Sequence, residues 1–357
     1  MITEPDDRSD DIGLPKADRK NVTRLKAAAV VLTLFGIGLF TYFIYSVGVS
    51  EIIDNIRRFG FFGFAVILAI YFVRVMMRSL AWKLSVYDPY RLEMRDTVPA
   101  VLIGEALSSM IPLGIVISGT AKAVAVRRKV PLVVGLSSVA TENLFYSVTT
   151  SAFLLLGAFT FLRTFDLDQG WALTIDLLIV GLIAAIAFLI LLVLRQWHIA
   201  SEACEWLYQR GVLTKLLEGG RLQVRLFENL IFGYYRRHPN RFLPICLLNA
   251  AFHALGVLEV WFILSRISDT GATALNAFLL ESVSRLITIV FKLVPFLIGV
   301  DEAGAQFVAE TVGIGVGIGV TLALIRKGRI LFWAMTGVAV LISRGLSLRK
   351  ILRTIES

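Results

Sequence analysis

Residues 287–306, ITIVFKLVPFLIGVDEAGAQ, decide how the rest of the chain is read. The first half is apolar enough for a membrane helix. It nevertheless carries Lys292, meets Pro295, passes Gly299 and turns acidic at Asp301 and Glu302. Proline removes a backbone donor and its ring clashes with the preceding turn, so a helix breaks there. Hydrocarbon offers no water to the freed amides, and a break is tolerated only against protein or around a polar cavity. Two carboxylates beside this break favour the cavity.

Composition sets the same scene for the whole chain. Of 357 residues, 57% are hydrophobic and only 18% charged, where soluble domains carry about 25% charged residues. Mean hydropathy is +0.75. Several apolar windows exceed the ~20 residues a helix needs to cross a bilayer, and their flanks are basic. The expected class is an all-α polytopic membrane protein. The net charge of +9 then reflects Lys and Arg held on the cytoplasmic side and near anionic lipid, and implies no nucleic acid. Cys204 and Cys246 fit neither a disulfide framework nor a metal site, and no cofactor is expected.

Residues 1–24 are too polar to fold alone and read as a disordered cytoplasmic leader; residues 25–348 read as one transmembrane domain, and 349–357 as a basic cytoplasmic tail. The first span is expected at 27–47, a short interfacial helix at 49–60 and a second span at 61–77. Arg74 and Arg78 lie one turn apart near the end of that span, where long side chains snorkel to the interface or meet a headgroup. Lys122 and the basic run 127–129 belong on the cytoplasmic side, as does the polar stretch 83–96. Between these clusters, residues 98–118 are apolar but broken by Glu105, Pro112 and Gly114. A segment with both ends on one side must enter and return, so this is read as a re-entrant hairpin. The next span, 131–162, places Ser138, Glu142, Tyr146 and Thr149 on one face. A loop containing Asp166 and Asp168 leads to a span at 171–194, and residues 195–241 read as cytoplasmic amphipathic helices. A span at 242–265 carries Asn249 and His253, read as hydrogen-bonded packing. The span at 274–294 carries Glu281, Arg285 and Lys292 on one face, with Glu281–Arg285 an expected i,i+4 pair and Lys292 expected to pair with Asp301 or Glu302. Reading Arg326–Lys327–Gly328–Arg329 as an outside turn gives eight spans with both termini cytoplasmic; reading Arg326 inside one long helix gives seven and puts the basic tail on the other side.

The two broken elements read as a pseudo-repeat. From Met110 and from Leu293 an apolar helix breaks at proline, passes glycine, turns through small residues and resumes with charge. Gly135 precedes Glu142 by the same interval as Gly319 precedes Arg326. Discontinuous helices at matching positions of two halves point to a transporter site.

GEALSSMIPLG (104–114), SGTAKA (118–123), VATENLFYS (139–147) and PFLIGVDEAG (295–304) resemble the motifs of the lysylphosphatidylglycerol synthase transmembrane, or flippase-like, family. The resemblance covers most of the chain after Phe61. It implies a protein of the bacterial inner membrane related to the domain that moves aminoacylated phosphatidylglycerol across the bilayer, here a stand-alone member without the soluble aminoacyltransferase domain. Two positions depart from the family pattern: Gly119–Thr120 stands where Gly–Glu is common, and Glu142 where arginine is common. These departures suit a different headgroup.

The residues expected to form the pathway are Glu105, Pro112, Glu142, Tyr146, Glu281, Arg285, Lys292, Pro295, Gly299, Asp301 and Glu302, with Arg74, Arg78 and Lys122 at the headgroup interface. Each mid-membrane charge costs ~2.5–3.5 kcal/mol on insertion scales, more than a purely structural bundle has reason to bear. Arg285 and Lys292 would attract phosphate; Glu142, Asp301 and Glu302 would take a cationic headgroup or a coupling proton. No hydrolase, metalloprotease, P-loop or dinucleotide signature is present, so flipping of a lipid or lipid-linked headgroup is expected rather than catalysis. Two other readings stay open: a glycosyltransferase using a polyprenyl-phosphate sugar, with Asp166 and Asp168 or Asp301 and Glu302 in its site, and an accessory subunit of a lipid-biosynthesis complex. The expected partners are membrane lipids with anionic or lipid-linked headgroups and a lipid-biosynthesis enzyme.

Overall fold

The computed structural model describes residues 37–346, apart from 39–40, 43–44, 46, 111–113, 166–168, 211–213, 270–271 and 292–293. All regular structure among the described residues is helical. Four stretches are long and apolar enough to cross a membrane: Val49–Leu84, Leu132–Thr164, Ala172–Leu192 and Pro239–Ile267.

The chain is built from two similar runs of helices. The first is α1 (Val49–Leu84), α2 (Met94–Met110), α3 (Gly114–Ala125) and α4 (Leu132–Thr164). A single apolar helix, α5 (Gln169–Arg195), and two amphipathic ones, α6 (Ile199–Gln209) and α7 (Thr214–Arg237), lead to the second run. That run is α8 (Phe242–Ile267), α9 (Ala274–Val290), α10 (Val300–Thr311) and α11 (Val316–Ser343). In both, a long helix is followed by one of 17 residues, one of 12 and a long one again.

Packing repeats as well. Helix α4 lies on α8 and α9 of the other run, and α11 lies on α1 and α2. Helices α1 and α8 pack along each other antiparallel. Arg58 meets Asp269 at 2.7 Å at one end of the pair, Arg74 meets Glu259 at 3.1 Å in the middle, and Arg241 donates to the Leu84 carbonyl at 3.5 Å at the other. The first helices of the two runs therefore point in opposite directions. Close approach needs small residues: a Cβ on Gly337 of α11 would lie 2.4 Å from the Leu102 carbonyl oxygen of α2.

The stretch expected as an interfacial helix and the span after it are one assigned helix, α1, interrupted at Gly60, whose φ of 67° and ψ of 176° are not helical. Residues 199–209 and 214–237 of the segment expected to be amphipathic form the helices α6 and α7. Tyr234 of α7 donates to the Leu84 carbonyl at 2.6 Å and ties this segment to the end of α1. Burial pushes the Tyr234 phenol up to about 12, which keeps it a donor.

Two expectations are corrected. The helix expected over 274–294 ends at Val290, and the chain then forms a 3-10 turn, Pro295–Leu297, before α10. Phe296 and Leu297 of that turn take φ of 53° and 52°, a left-handed conformation costing non-glycine residues about 1–3 kcal/mol each. More consequentially, Arg326–Lys327–Gly328–Arg329 is no turn. Helix α11 runs unbroken through it, which removes the outside loop on which a count of eight spans rested. The physical reason is that these cations are buried against carboxylates instead of seeking water.

Candidate functional site

Helix α1 brings Arg74 inward, where it is 1% exposed and does not snorkel. It donates to Glu259 of α8 at 3.1 Å and to Glu281 of α9 at 3.4 Å. Glu281, itself fully buried, also accepts from Arg285 at 2.5 Å and from Arg326 of α11 at 2.8 Å. One carboxylate thus faces three guanidiniums from three helices. Glu259 in turn is shared between Arg74 and Arg329. Gly256, on α8, makes room for the arrangement, because a Cβ there would lie 2.4 Å from a Glu281 oxygen and 3.1 Å from an Arg74 nitrogen.

One turn along α1, Arg78 is also turned inward. It reaches Glu105 of α2 at 3.3 Å, and on α4 Glu142 at 3.5 Å and Asn143 at 3.3 Å. Its guanidinium lies 4.3 Å from the centre of the Tyr146 ring. On the opposite side, Lys327 of α11 pairs with Glu302 at 2.6 Å and donates to the Leu297 carbonyl at 3.3 Å. Glu302 accepts the Gly299 N–H at 2.8 Å, and Asp301 accepts from Ser284 at 2.8 Å. Gly299 has φ of 83°, which suits glycine at this chain reversal. Lys327 and Glu302 together clamp the broken turn of the second run onto α11.

These groups surround a cavity of about 470 Å³. Both broken elements line it, through Glu105, Ser109, Ser118 and Lys122 of the first and Arg285, Val294, Leu297 and Asp301 of the second. Among the described residues its charged lining consists of Arg74, Arg78, Lys122, Arg285, Arg326 and Arg329 against Glu105 and Asp301, six cations to two carboxylates. Glu142, Glu259 and Glu281 are buried behind the wall and pair with its arginines. The buried Nε–H groups of Arg74, Arg285 and Arg329 have no hydrogen-bond partner among the described residues, while that of Arg78 faces the Glu142 carboxylate at 3.5 Å. Such a wall suits an anion with several oxygens, since guanidinium groups match phosphate geometry.

Most of the residues expected from the sequence converge here. Glu105, Tyr146, Arg285 and Asp301 line the cavity, as do Arg74, Arg78 and Lys122. Arg74 and Arg78 do not snorkel: both turn inward to carboxylates of other helices, which agrees with the pathway contact left open for them. Glu142 and Glu281 position arginines; Gly299 and Glu302 belong to the clamped turn, and Pro295 begins it. The Glu281–Arg285 pair is present, whereas the partner of Glu302 is Lys327. Pro112, Lys292, Asp166 and Asp168 lie outside the described residues. His253 shares a 3.0 Å hydrogen bond with Thr150 and stacks on Phe153, and Asn249 is buried beside it on the same helix. Sequence reasoning missed Glu259, Lys327 and Arg329 as site residues and preferred a turn to the helix interior for Arg326. Glu259 left a signal, a lone carboxylate in an otherwise apolar span.

A bundle of apolar helices around a charge-lined cavity defines a multi-pass membrane protein with a polar internal site. The family model described as lysylphosphatidylglycerol synthase TM region matches residues 26–339, and the chain belongs to that family. Membership associates it with lipid metabolism or transport. No curated protein and no solved structure matches the chain.

Proposed function

We propose that the protein moves a lipid with an anionic headgroup across the bilayer, the phosphate resting among the cations of the cavity while the acyl chains stay in the membrane. The observation that carries this reading is the cavity lining, six cations against two carboxylates. Glu105 and Asp301 leave room for a hydroxyl or ammonium group on the same headgroup. On this reading α2–α3 and α9–α10 are re-entrant hairpins entering from opposite faces. A helix of 12 residues, as α3 and α10 each are, rises only about 18 Å, short of the ~30 Å hydrocarbon core. Inverted repeats with discontinuous helices support alternating access around a central site. The basic clusters favour a cytoplasmic N-terminus and cytoplasmic α6–α7, and on this reading the protein sits in a bacterial inner membrane. The cycle involves no covalent chemistry, and the partners are membrane lipids and the enzyme that makes the transported one.

The test uses purified protein in proteoliposomes carrying fluorescent phosphatidylglycerol or phosphatidylcholine. Faster movement of the anionic lipid, lost in Arg285→Ala protein of unchanged helicity, is expected. No lipid movement by folded protein, or movement indifferent to Arg285→Ala, would sink the proposal.

A further inference from the structure

We infer that the lipid reaches the cavity sideways from the bilayer, through a gap between α3 and α9 whose floor is a polar track on α4. The inference rests on the transport reading above and names the route by which its substrate gains the site.

Among the described residues, α3 and α9 each pack on α4 and make little contact with one another. They meet α4 at different heights. Near its start, Gly135 lies against Ala123, and Val139 lies against Gly119 of α3. Further along, Phe153 meets Phe278 edge-on at 5.3 Å, and Gly157 lies against Ser282 of α9. Between these contacts Asn143, Ser147 and Ser151 follow one another at four-residue spacing and line the cavity. They share one face and rise about 12 Å along the helix. Ser147 is exposed, and so is Ile289 on the facing edge of α9, also a cavity residue. The cavity is therefore open at this level.

The hydroxyls of the track behave unlike their neighbours on α4. Ser137, Thr141 and Thr149 return their protons to carbonyls of their own helix, the usual state of a hydroxyl in hydrocarbon. Ser108, Ser118, Ser147 and Ser151 all line the cavity and make no side-chain hydrogen bond among the described residues. An unbonded hydroxyl facing lipid is costly, whereas hydroxyls facing a passing headgroup have a partner. Arg78, bonded to Asn143 at the foot of the track, joins it to the cationic wall. The apolar Ile289 rim suits the acyl chains that remain outside.

The test starts from full-length protein with Cys204→Ser and Cys246→Ser, to which Ser147→Cys is added, or Leu177→Cys on the exposed face of α5. Each is reconstituted with and without a bulky maleimide on the new thiol, and fluorescent phosphatidylglycerol movement is followed. Labelling is expected to slow the Ser147→Cys variant about tenfold or more, as blocking a gating passage does, and to leave the Leu177→Cys variant unchanged. A bimane on the Ser147→Cys thiol should also be quenched more by brominated phosphatidylglycerol than by brominated phosphatidylcholine. If labelled and unlabelled Ser147→Cys move lipid equally, or quenching ignores the headgroup, the lateral route is wrong while lipid transport stands. If the starting protein moves no lipid, both readings fall together.

Discussion

Arg326 of α11 donates to Glu281 of α9 at 2.8 Å across 45 residues of sequence, and this contact turns a run of cations that looks like a loop into the middle of a long helix. Glu281 receives Arg74 and Arg285 as well. Charges that would each be expensive alone are tolerable together because every carboxylate is surrounded and the whole set is shared by several helices.

Removing a shared carboxylate should cost more than removing one of its partners. Glu281→Gln leaves three buried guanidiniums short of a counter-charge, and breaking a buried pair in this way costs about 3–5 kcal/mol. Arg326→Met leaves Glu281 with two cations and should cost less. Thermal unfolding in detergent should rank Tm as native, then Arg326→Met, then Glu281→Gln; the reverse order of the two variants would show that the carboxylate is not the hub.

Gly256→Ala should weaken the same cluster without touching a charge. Its new Cβ would lie 2.4 Å from a Glu281 oxygen, and overpacking of this kind typically costs about 1–3 kcal/mol. Gly181 of α5 has nothing within 4 Å of a Cβ, so Gly181→Ala should change stability by no more than about 0.5 kcal/mol. The two Tm values measured side by side decide whether close approach at Gly256 matters.

Lys327 clamps the broken turn through Glu302 and the Leu297 carbonyl. In Lys327→Met protein, hydrogen exchange of the amides at 294–299 should quicken about tenfold, an opening easier by about 1.4 kcal/mol, while α1 and α8 stay protected. Uniformly faster exchange through the bundle would mean that Lys327 supports the fold generally rather than this turn.

Arginine at position 78 serves Glu105, Glu142, Asn143 and the Tyr146 ring at once. Lysine keeps the charge but lacks the planar fork, so Arg78→Lys should lower phosphatidylglycerol movement about tenfold in protein of near-native Tm. Native rates in Arg78→Lys protein would reduce the residue to a point charge.

Much of this was legible in the chain. Apolar windows and basic flanks announced a helical membrane protein, and Pro295 with Gly299 and the acidic pair marked a break that the structure places beside the cavity. The i,i+4 spacing of Glu281 and Arg285 gave their pairing directly, since local geometry on one helix needs no tertiary information. Arg74 and Arg78 misled, because a cation near the end of an apolar span has two inexpensive fates, snorkelling to water or finding a carboxylate. Periodicity along one helix does not distinguish them.

The sequence by itself determined the solvent, the all-helical class and the break around Pro295 and Gly299, because these follow from hydropathy, backbone hydrogen bonding and the stereochemistry of proline and glycine. Only the tertiary structure decided which charges compensate one another. Glu259 finds Arg329 70 residues away and Arg74 185 residues away, partners that no spacing rule connects. Burial in a low-dielectric interior makes the worth of each charge depend on what the fold brings within a few ångströms of it. That dependence kept Arg326, Lys327 and Arg329 inside α11 and gave the cavity its excess of cations.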